Sequence, residues 1–333
     1  MPYTFVLAAG TFSDTRIEEQ HLTSQSVAVR LASLSTPEDV ARETVAADGV
    51  IVTTNPLPDA AISRLGPRVR IIGRAGIGLD AIDLAAAERR GIAVFHCPDY
   101  ATEEVATHAV AMILALNRRV TQGDLVARHG WTGWREIAPL LPLHEQTVGV
   151  VGCGRIGRAV IQRVLPLAGA VLASDPYVAT PPAGATLVPL DDLLHRSDVV
   201  TLHSPLTPQT RHLIGQRELA LMKEGAFLVN VSRGALVEQT ALVEALRTGA
   251  LAGAGLDVLE EEPPPADAPI LTAPHVLLSP HVAWYSVASE RRARTDTVDG
   301  MIAYLDGRPL HAGRLAVVPH SAPIDASAST TTT

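Results

Sequence analysis

The glycine-rich stretch VGVVGCGRIGRAV, residues 148–160, constrains the fold of this chain more than any other segment. Gly152, Gly154 and Gly157 stand in a G-x-G-x-x-G pattern between an apolar run typical of a strand and a run typical of a helix. In that context the glycines allow a tight turn and a close approach of the backbone to a pyrophosphate, which the helix N-terminus attracts. The stretch therefore predicts a βα unit that binds a dinucleotide. Arg155 and Ile156 belong to the same loop, where Arg155 either adds charge beside the pyrophosphate or is a solvated surface arginine.

An acidic residue for the coenzyme ribose follows the glycine loop. The next predicted strand, VLASD, ends at Asp175. A carboxylate at this position accepts hydrogen bonds from the ribose 2′-hydroxyl and repels the 2′-phosphate of NADP. NAD is therefore the cofactor that we expect.

Short apolar runs alternate with amphipathic runs on both sides of the glycine loop. Strands are predicted before residue 100 at YTFVLA, SVAVRL, GVIVTT, VRIIGR and GIAVF, and after the loop at AVLASD, VVTLHS, AFLVNV, AGAGLDV and VLLSP. Such alternation predicts an α/β fold with two parallel-sheet domains. One long helix is predicted over residues 102–120, with Thr102 as its N-cap and Arg118 and Arg119 in its last turn.

The composition narrows the classes of partner. The chain of 333 residues has a net charge of −8 and no basic stripe, so neither nucleic acid nor an anionic membrane is the expected partner. No apolar run approaches the roughly 18 residues of a membrane helix, and the N-terminal apolar run is expected to form a strand rather than a signal peptide. Two cysteines, Cys97 and Cys153, cannot form a disulfide framework, which favours the reducing cytoplasm.

Three segments end predicted strands of the second sheet with residues suited to chemistry: Arg233 in LVNVSRGALV, Asp257 and Glu262 in AGLDVLEEEPPP, and His281 in LSPHVAWYS. Ligands of open α/β sheets lie beyond the carboxyl ends of strands, so these side chains are expected to converge beside the nicotinamide. Arginine suits a carboxylate or carbonyl, histidine suits proton transfer near neutral pH, and a carboxylate orients the histidine. Each signal is weak alone: Arg233 could be a surface charge, the three glutamates a solvated turn, and His281 part of a strand end packed in the core.

Two other kinds of chemistry have no support in the sequence. It contains no G-x-S-x-G nucleophile elbow, which argues against a serine hydrolase. It also contains no Cys/His cluster with metal-ligand spacing, so no metal site is expected.

Taken together, these motifs resemble the NAD-dependent D-2-hydroxyacid dehydrogenases, and most closely the branch of the C-terminal-binding-protein corepressors. The resemblance covers about residues 45 to 310. It rests on the following motifs, in this order: GRAGIGLDAIDLAAAERRGIAV, VGVVGCGRIGRAV, SDPY, DLLHRSDVVTLHSPLTPQTRHLI, GAFLVNVSRGALV, LDVLEEEPP and SPHVAWYS. The chain departs from the family pattern at Cys153 inside the glycine loop and at Ala81, where the family often has Asn.

The resemblance implies a role for each matching residue. Arg233 would bind the carboxylate and polarise the carbonyl of a 2-keto acid, and His281 would donate the proton during reduction. Glu262 would pair with His281, and it is chosen over Glu260 and Glu261 because it directly precedes a proline, as in the family. The implied substrate-binding residues are the backbone amides of Ile77 and Gly78, Arg233 and Trp284, which would wall the pocket. Further implied cofactor contacts are Ser204, Pro205, Thr210, Val231, Asp257 and His281.

The resemblance also implies the domain organisation and the function. A flavodoxin-like substrate domain would combine residues 1–98 and 290–318, a Rossmann NAD-binding domain would occupy 99–289, and 319–333 would be a disordered tail. The expected protein is a homodimeric oxidoreductase that interconverts a 2-keto acid and a D-2-hydroxy acid with NAD(H). An NAD(H)-responsive co-regulator or scaffold is the alternative from another class, and phosphite oxidation or phosphoglycerate dehydrogenation remain open within the enzyme class. The sequence does not indicate which acid is the substrate.

Overall fold

The computed structural model describes residues 3–23, 27–131 and 133–319, and the chain divides into two compact units. Unit 1 combines the chain up to Tyr100 with the chain from Ser286 onward, and unit 2 is the continuous segment Ala101–Tyr285. The expected domain boundaries, after residues 98 and 289, lie two and four residues from this division. Apart from Pro319, the tail expected at 319–333 lies outside the described residues.

Unit 1 contains a six-stranded sheet. Its strands, numbered along the whole chain, are β1 (Tyr3–Ala8), β2 (Val27–Ala32), β3 (Gly49–Val52), β4 (Ile71–Arg74), β5 (Ala93–His96) and β13 (Arg314–Val317). Their order across the sheet is β13-β5-β4-β3-β1-β2. Neighbouring strands are parallel except for β13, which is antiparallel to β5. The sheet is therefore parallel apart from one edge strand that the sequence did not predict.

Four helices of unit 1 connect successive strands in βα units, and a further helix follows the end of unit 2 and precedes β13. They are α1 (Arg16–His21), α2 (Pro37–Thr44), α3 (Asp59–Ile62), α4 (Leu84–Arg89) and α11 (Val287–Leu305). Local signals explain where two of them begin: the side chain of Thr36 accepts a hydrogen bond from Asp39 N before α2, and that of Asp83 accepts one from Ala86 N before α4. Strand β3 is buried along its whole length, which explains why its sequence is a continuous apolar run and does not alternate.

A buried ion pair joins helices α1 and α11. Arg294 donates from Nε to Glu18 Oε1 at 2.7 Å and from Nη2 to Glu18 Oε2 at 2.5 Å. Their side chains are only 3% and 1% exposed. The guanidinium also donates to Asp14 O and lies 4.7 Å from the centre of the Phe12 ring. A desolvated bidentate pair thus fixes α1 to α11.

Unit 2 contains a seven-stranded sheet in which every described neighbouring pair is parallel. Its strands are β6 (Thr147–Val151), β7 (Ala170–Ser174), β8 (Thr186–Leu187), β9 (Val199–Leu202), β10 (Ala226–Asn230), β11 (Leu251–Leu256) and β12 (Val276–Leu278). Their order is β12-β11-β10-β9-β6-β7-β8. The chain runs outward from β6 in one direction and then returns to continue in the other from β9. This reversal is the switch point at which doubly wound sheets bind nucleotides.

The helices of unit 2 are α5 (Thr102–Asn117), α6 (Val120–Arg128), α7 (Arg155–Val164), α8 (Leu190–Arg196), α9 (Gln216–Leu221) and α10 (Gln239–Arg247). The prediction of one helix over 102–120 is right about the first residue of the range but wrong about the N-cap and about the C-terminal end. Thr102 is the first helical residue and Ala101 the cap. The helix stops at Asn117 because Arg119 adopts a left-handed conformation, with φ of 46°, and a second helix starts directly afterwards.

The predicted fold class, an α/β protein with two parallel-dominated sheets, is confirmed. Within the part of the chain that the structure describes, no helix is both long enough and apolar enough to cross a membrane. Cys97 and Cys153 are free and buried.

Candidate active site

The site residues predicted for unit 2 follow the ends of its strands at one edge of the sheet. The glycine loop begins where β6 ends, and Asp175 follows β7. On the other side of the switch point, β9, β10, β11 and β12 lead into the segments that begin at His203, Val231, Asp257 and Ser279. Since all these strands are parallel, the nucleotide loop and the candidate chemical groups lie at the same carboxyl edge.

Each glycine of the loop suits its position for a different structural reason. Gly152 has a φ of +95°, and a Cβ there would lie 2.7 Å from the His203 carbonyl. A Cβ at Gly157 would lie 1.9 Å from Gly152 O, so only glycine lets helix α7 pack so closely on the turn. Gly154, in contrast, faces open space, since a Cβ at this residue would have no described atom within 4 Å. A tight turn, an open approach and close packing are what a dinucleotide pyrophosphate requires, so the loop fits NAD.

Asp175 is held against this loop. Its Oδ2 accepts a hydrogen bond from Cys153 N at 2.8 Å, and its Oδ1 accepts one from Tyr177 N at 2.9 Å. Burial and the negative charge of Asp175 raise the pKa of the Cys153 thiol, so this departure from the family pattern puts a neutral group in the loop. The carboxylate is thereby placed at the end of β7, where a coenzyme ribose is bound in such folds.

The segment after β9 carries the predicted contacts Ser204, Pro205 and Thr210. The Thr210 hydroxyl donates to Pro205 O at 2.7 Å, which closes the segment into a compact turn. Ser204 Oγ lies 3.5 Å from Val151 O, at the limit of a hydrogen bond, and so next to the start of the glycine loop. Val231, which follows β10, is buried.

His281 and Glu262 form a hydrogen-bonded pair. His281 Nδ1 donates to Glu262 Oε2 at 2.6 Å, and Glu262 Oε1 accepts from Leu259 N at 2.9 Å. Burial raises the pKa of the Glu262 carboxyl, but the hydrogen bond and charge of His281, the Leu259 N–H and the charge of Arg233 outweigh it, so that the pKa lies below its ordinary value. The neighbouring Glu260 pairs instead with His212. Glu262 is therefore an ionised partner of His281 across the neutral pH range.

Asp257 holds the turn that carries His281. This carboxylate is 2% exposed, and it accepts hydrogen bonds from Val282 N and Ala283 N, both at 2.9 Å. Its backbone oxygen accepts from His281 N at 2.8 Å. His281 itself has a φ of 54°, an uncommon left-handed conformation that persists only when the surroundings determine it. The carboxylate of Asp257 thus serves the chain's own backbone, and its predicted contact with the cofactor stays a prediction.

Arg233 lies in the turn after β10. Its Nη1 donates to Ser232 O at 2.8 Å, and its backbone oxygen accepts from Asn230 Nδ2 at 2.8 Å. A Cβ at Gly234 would lie 1.9 Å from the carbonyl of Leu259, so this turn is packed directly on the segment that leads to Glu262. Since the charge of Arg233 also lowers the pKa of Glu262, the structure brings Arg233, Glu262 and His281 together.

Trp284 and the two backbone amides predicted for the substrate lie in different units. Trp284 belongs to the His281 turn, where its Nε1 donates to His281 O at 3.0 Å, and its ring meets that of Tyr285 edge-on at 5.5 Å. Ile77 and Gly78 belong to unit 1, in the loop that follows β4.

Sequence reasoning missed three polar residues of unit 2 that support this edge. Asn230 is buried and brackets the Arg233 turn. The Ser279 hydroxyl donates to Asp257 Oδ1 at 2.5 Å. Because the hydroxyl has only this one proton, Ser279 Oγ is the acceptor in its second hydrogen bond, which His108 Nε2 donates at 2.9 Å. The available signal was a single polar residue inside an apolar run, as in LVNV, VLLSP and ATHAVAM. Among the described residues, no group of three or more His, Cys, Asp or Glu could hold a metal ion.

The different surroundings of two loop glycines lead to a prediction. Gly157→Ala should lower the free energy of unfolding by about 1–3 kcal/mol or more, because its methyl group collides with Gly152 O. Gly154→Ala should leave stability within about 0.5 kcal/mol, because φ is −68° and the space is open, yet weaken NADH binding by at least tenfold. Urea unfolding and a fluorescence titration with NADH measure the two effects. NADH binding of parental strength by Gly154→Ala would contradict the proposed use of the open space.

Comparisons with known proteins agree with this arrangement. Residues 110–283 match the family described as D-isomer specific 2-hydroxyacid dehydrogenase, NAD binding domain. The chain is 37% identical over 301 residues to the D-3-phosphoglycerate dehydrogenase of Archaeoglobus fulgidus, covering 89% of this chain and 55% of that protein. It is 40% identical over 264 residues to the glyoxylate reductase of Korarchaeum cryptofilum, covering 78% and 79%.

Solved structures show the same relationship. The D-lactate dehydrogenase from Aquifex aeolicus, complexed with NAD and lactic acid, superposes with a TM-score of 0.82 at 31% identity, over 91% of this chain and 96% of that one. The chain spans only 55% of the length of the phosphoglycerate dehydrogenase named above. The expected likeness to the corepressor branch stays a prediction. The matched nucleotide domain and the glyoxylate reductase relative, aligned over most of both chains, show that this chain belongs to the D-isomer specific 2-hydroxyacid dehydrogenase family and carries its NAD-binding domain.

Proposed function

We propose that the protein is an oxidoreductase that reduces a 2-keto acid to a D-2-hydroxy acid, reversibly, with NADH. The observation that carries this proposal is the His281–Glu262 pair, which lies with Arg233 at the same sheet edge as the glycine loop. A proton donor, a cationic anchor and a dinucleotide loop are the groups that reduction of a keto acid requires. The relatives named above, which include a glyoxylate reductase and a D-lactate dehydrogenase, support the same reaction class.

His281 supplies the proton in this proposal. Its Nδ1–H is engaged by Glu262 at 2.6 Å, which leaves Nε2 for the substrate. In reduction, protonated His281 donates its Nε2 proton to the keto oxygen as that oxygen becomes a hydroxyl, and the ring is left neutral with its Nδ1 proton in place. In oxidation, Nε2 takes the proton back. NADH, when bound, supplies the hydride. The ionised Glu262 carboxylate fixes the ring orientation and stabilises the charged ring before the transfer.

The remaining residues bind and orient. Arg233 is the permanent cation that holds the substrate carboxylate and polarises the keto group. The backbone N–H groups of Ile77 and Gly78 bind the carboxylate as an anion nest, and Trp284 bounds the substrate pocket. The cofactor is held by the glycine loop and Asp175, with further contacts from Ser204, Pro205, Thr210, Val231, Asp257 and His281.

A screen of small 2-keto acids against NADH oxidation tests the proposal. Glyoxylate, pyruvate, hydroxypyruvate and phosphohydroxypyruvate should be compared at saturating NADH, with the D- and L-2-hydroxy acids tested in reverse with NAD. At least one keto acid should be reduced, and only the D-hydroxy acid oxidised. Tight NADH binding with no turnover of any acid would instead favour the co-regulator alternative.

The coenzyme preference provides a second prediction. Because the Asp175 carboxylate suits a ribose diol and repels a phosphate, kcat/KM with NADH should exceed that with NADPH by a large factor. Asp175→Ser should lower the ratio of kcat/KM for NADH to kcat/KM for NADPH, because it weakens NADH binding and allows NADPH to bind. Asp192→Ser, at an exposed position of α8, should leave this ratio unchanged. Equal efficiency of the parent with both coenzymes would overturn the role given to Asp175.

We also propose that the protein forms a homodimer through unit 2, in the cytoplasm. Apolar side chains are exposed on and after α6: Trp131 is 85% exposed, Trp134 65%, Val120 57% and Leu125 56%. An apolar surface of this kind marks a protein interface, and the family resemblance supplies a second copy as the partner. Sedimentation equilibrium measures the mass that checks this proposal.

A further inference from the structure

Four successive carbonyl groups in the loop after β4 accept hydrogen bonds. Arg74, the last residue of β4, donates from Nη1 to Ala75 O at 2.8 Å and from Nε to Gly78 O at 3.0 Å. Gly76 O accepts from Cys97 N at 3.1 Å. Ile77 O accepts from His96 Nδ1 at 3.0 Å. Four successive carbonyl groups are therefore bound by the surrounding chain of unit 1.

Three consecutive amides of the same loop have no such partners among the described residues. Within the described segment 27–131, the N–H groups of Ile77, Gly78 and Leu79 donate no hydrogen bond to the protein. A trans peptide is planar, with its N–H opposite to its C=O. Each bound carbonyl, from Gly76 to Gly78, thus sets the direction of the next residue's N–H. The braced carbonyls leave three consecutive donors oriented and available for an anion.

We propose that Arg74 is a positioning residue of the substrate carboxylate site. It binds no substrate atom; it holds Gly78 O, and through that peptide the N–H of Leu79, while the bond to Ala75 O fixes the start of the loop. The guanidinium lies directly against Gly76, since a Cβ at this residue would be 2.2 Å from Arg74 Nη1. His96 is the second brace. The inference rests on the proposed function, since it takes the substrate to be a carboxylate.

The geometry suggests a pair of variants. Arg74→Lys keeps the charge but cannot reach two carbonyls with a planar fork, so KM for the keto acid should rise at least tenfold with a smaller change in kcat. Gly76→Ala removes no functional group, but its methyl group displaces the guanidinium, so KM for the keto acid should also rise. The double variant should be little worse than Arg74→Lys alone, because both changes remove one interaction. Arg89→Lys, at an exposed ion pair of unit 1, is the matched control.

Binding measurements separate this inference from the proposed reaction. Oxamate, a carboxylate that mimics a keto acid without being reduced, should be titrated calorimetrically into the enzyme–NADH complex, with NADH affinity measured in parallel. Oxamate affinity should fall at least tenfold in Arg74→Lys and in Gly76→Ala, NADH affinity should stay within twofold, and ethylguanidinium should restore oxamate binding to Arg74→Ala.

The outcomes are distinguishable. Failure of the parent to reduce any keto acid would defeat the proposed function. If the parent is active, but both variants keep parental KM and oxamate affinity, Arg74 has no positioning role and the proposed function stands. If Arg74→Lys also loses NADH binding and thermal stability, Gly76→Ala and the rescue of Arg74→Ala by ethylguanidinium decide whether Arg74 has a positioning role. Parental oxamate affinity in Gly76→Ala, together with no rescue of Arg74→Ala, overturns the inference. A parent that does not bind oxamate also overturns it.

Discussion

His281→Ala is expected to lower kcat/KM for keto-acid reduction by roughly 10²–10⁴-fold at every pH, because it removes the proton donor. Its companion Glu262→Gln keeps the shape of the partner and removes the charge that favours the protonated ring. The alkaline limb of the pH–rate profile should then move to lower pH, while the rate at pH values well below this limb should decrease less. Profiles of kcat/KM for the parent and both variants give the measurement.

The sign of the pH effect follows from the Glu262 carboxyl. Its pKa is below the ordinary value, so its pairing with His281 is present above the ordinary carboxyl pKa and is lost only as pH falls through the lowered one. Titration of Glu262 therefore cannot produce an alkaline limb in the parent. Glu261→Gln, at the exposed neighbouring glutamate, should leave the profile unchanged. An alkaline limb that stays in place in Glu262→Gln would show that this pair does not govern proton transfer.

Glu18→Gln is expected to lower the free energy of unfolding by up to about 3–5 kcal/mol, the largest effect on stability that we predict. The side chain is 1% exposed, and its neutralisation leaves the guanidinium of Arg294, itself 3% exposed, buried without its bidentate carboxylate. Glu290 Oε1 at 3.1 Å and Asp14 Oδ1 at 3.5 Å still pair with the guanidinium, but the variant removes the nearest negative charge and replaces one acceptor of the bidentate pair by an NH2 donor. Urea unfolding monitored by circular dichroism provides the measurement.

A control for this prediction is available on the surface of the same unit. Asp59 pairs with Arg89 at 2.9 Å, but both side chains are more than 60% exposed. Asp59→Asn should therefore cost no more than about 1 kcal/mol. Comparable losses in the two variants would mean that burial does not set the strength of the Glu18 pair.

The sheets were more predictable from sequence than the ends of helices. Strand β1 has the same bounds as the run YTFVLA, whose last four residues are apolar and buried, as expected of a parallel strand inside a sheet. The helix that follows Ala101 was predicted three residues too long, since nothing in LNRRV requires Arg119 to take a positive φ. That conformation separates α5 from α6 and has no signal in the local sequence.

Within the candidate site, too, some residues could be predicted from the sequence and others could not. Gly152, Gly154 and Gly157 were found from their spacing, because a close backbone approach leaves no alternative residue. The supporting contacts were not found: Ser279 and His108 are 171 positions apart, and Arg74 acts on carbonyls that look like any others in a sequence. Single polar residues in apolar runs are a usable signal for such groups only once the strands that carry them are aligned.

The discontinuous chain path of unit 1 has a consequence for how the protein is made. Strand β5 receives its edge partner only when Leu315 pairs with Phe95, and the ring of Phe95 is enclosed by Gly300 and Gly313. At about 5–20 residues per second, a ribosome needs roughly 10–40 s to pass through Ala101–Tyr285 before those residues exist. The continuous unit 2 can fold during that interval, whereas the earlier segment must wait with an open sheet edge and an uncovered aromatic ring. The segment made first is thus the last to be completed, and the nascent chain is most in need of protection by chaperones during that wait.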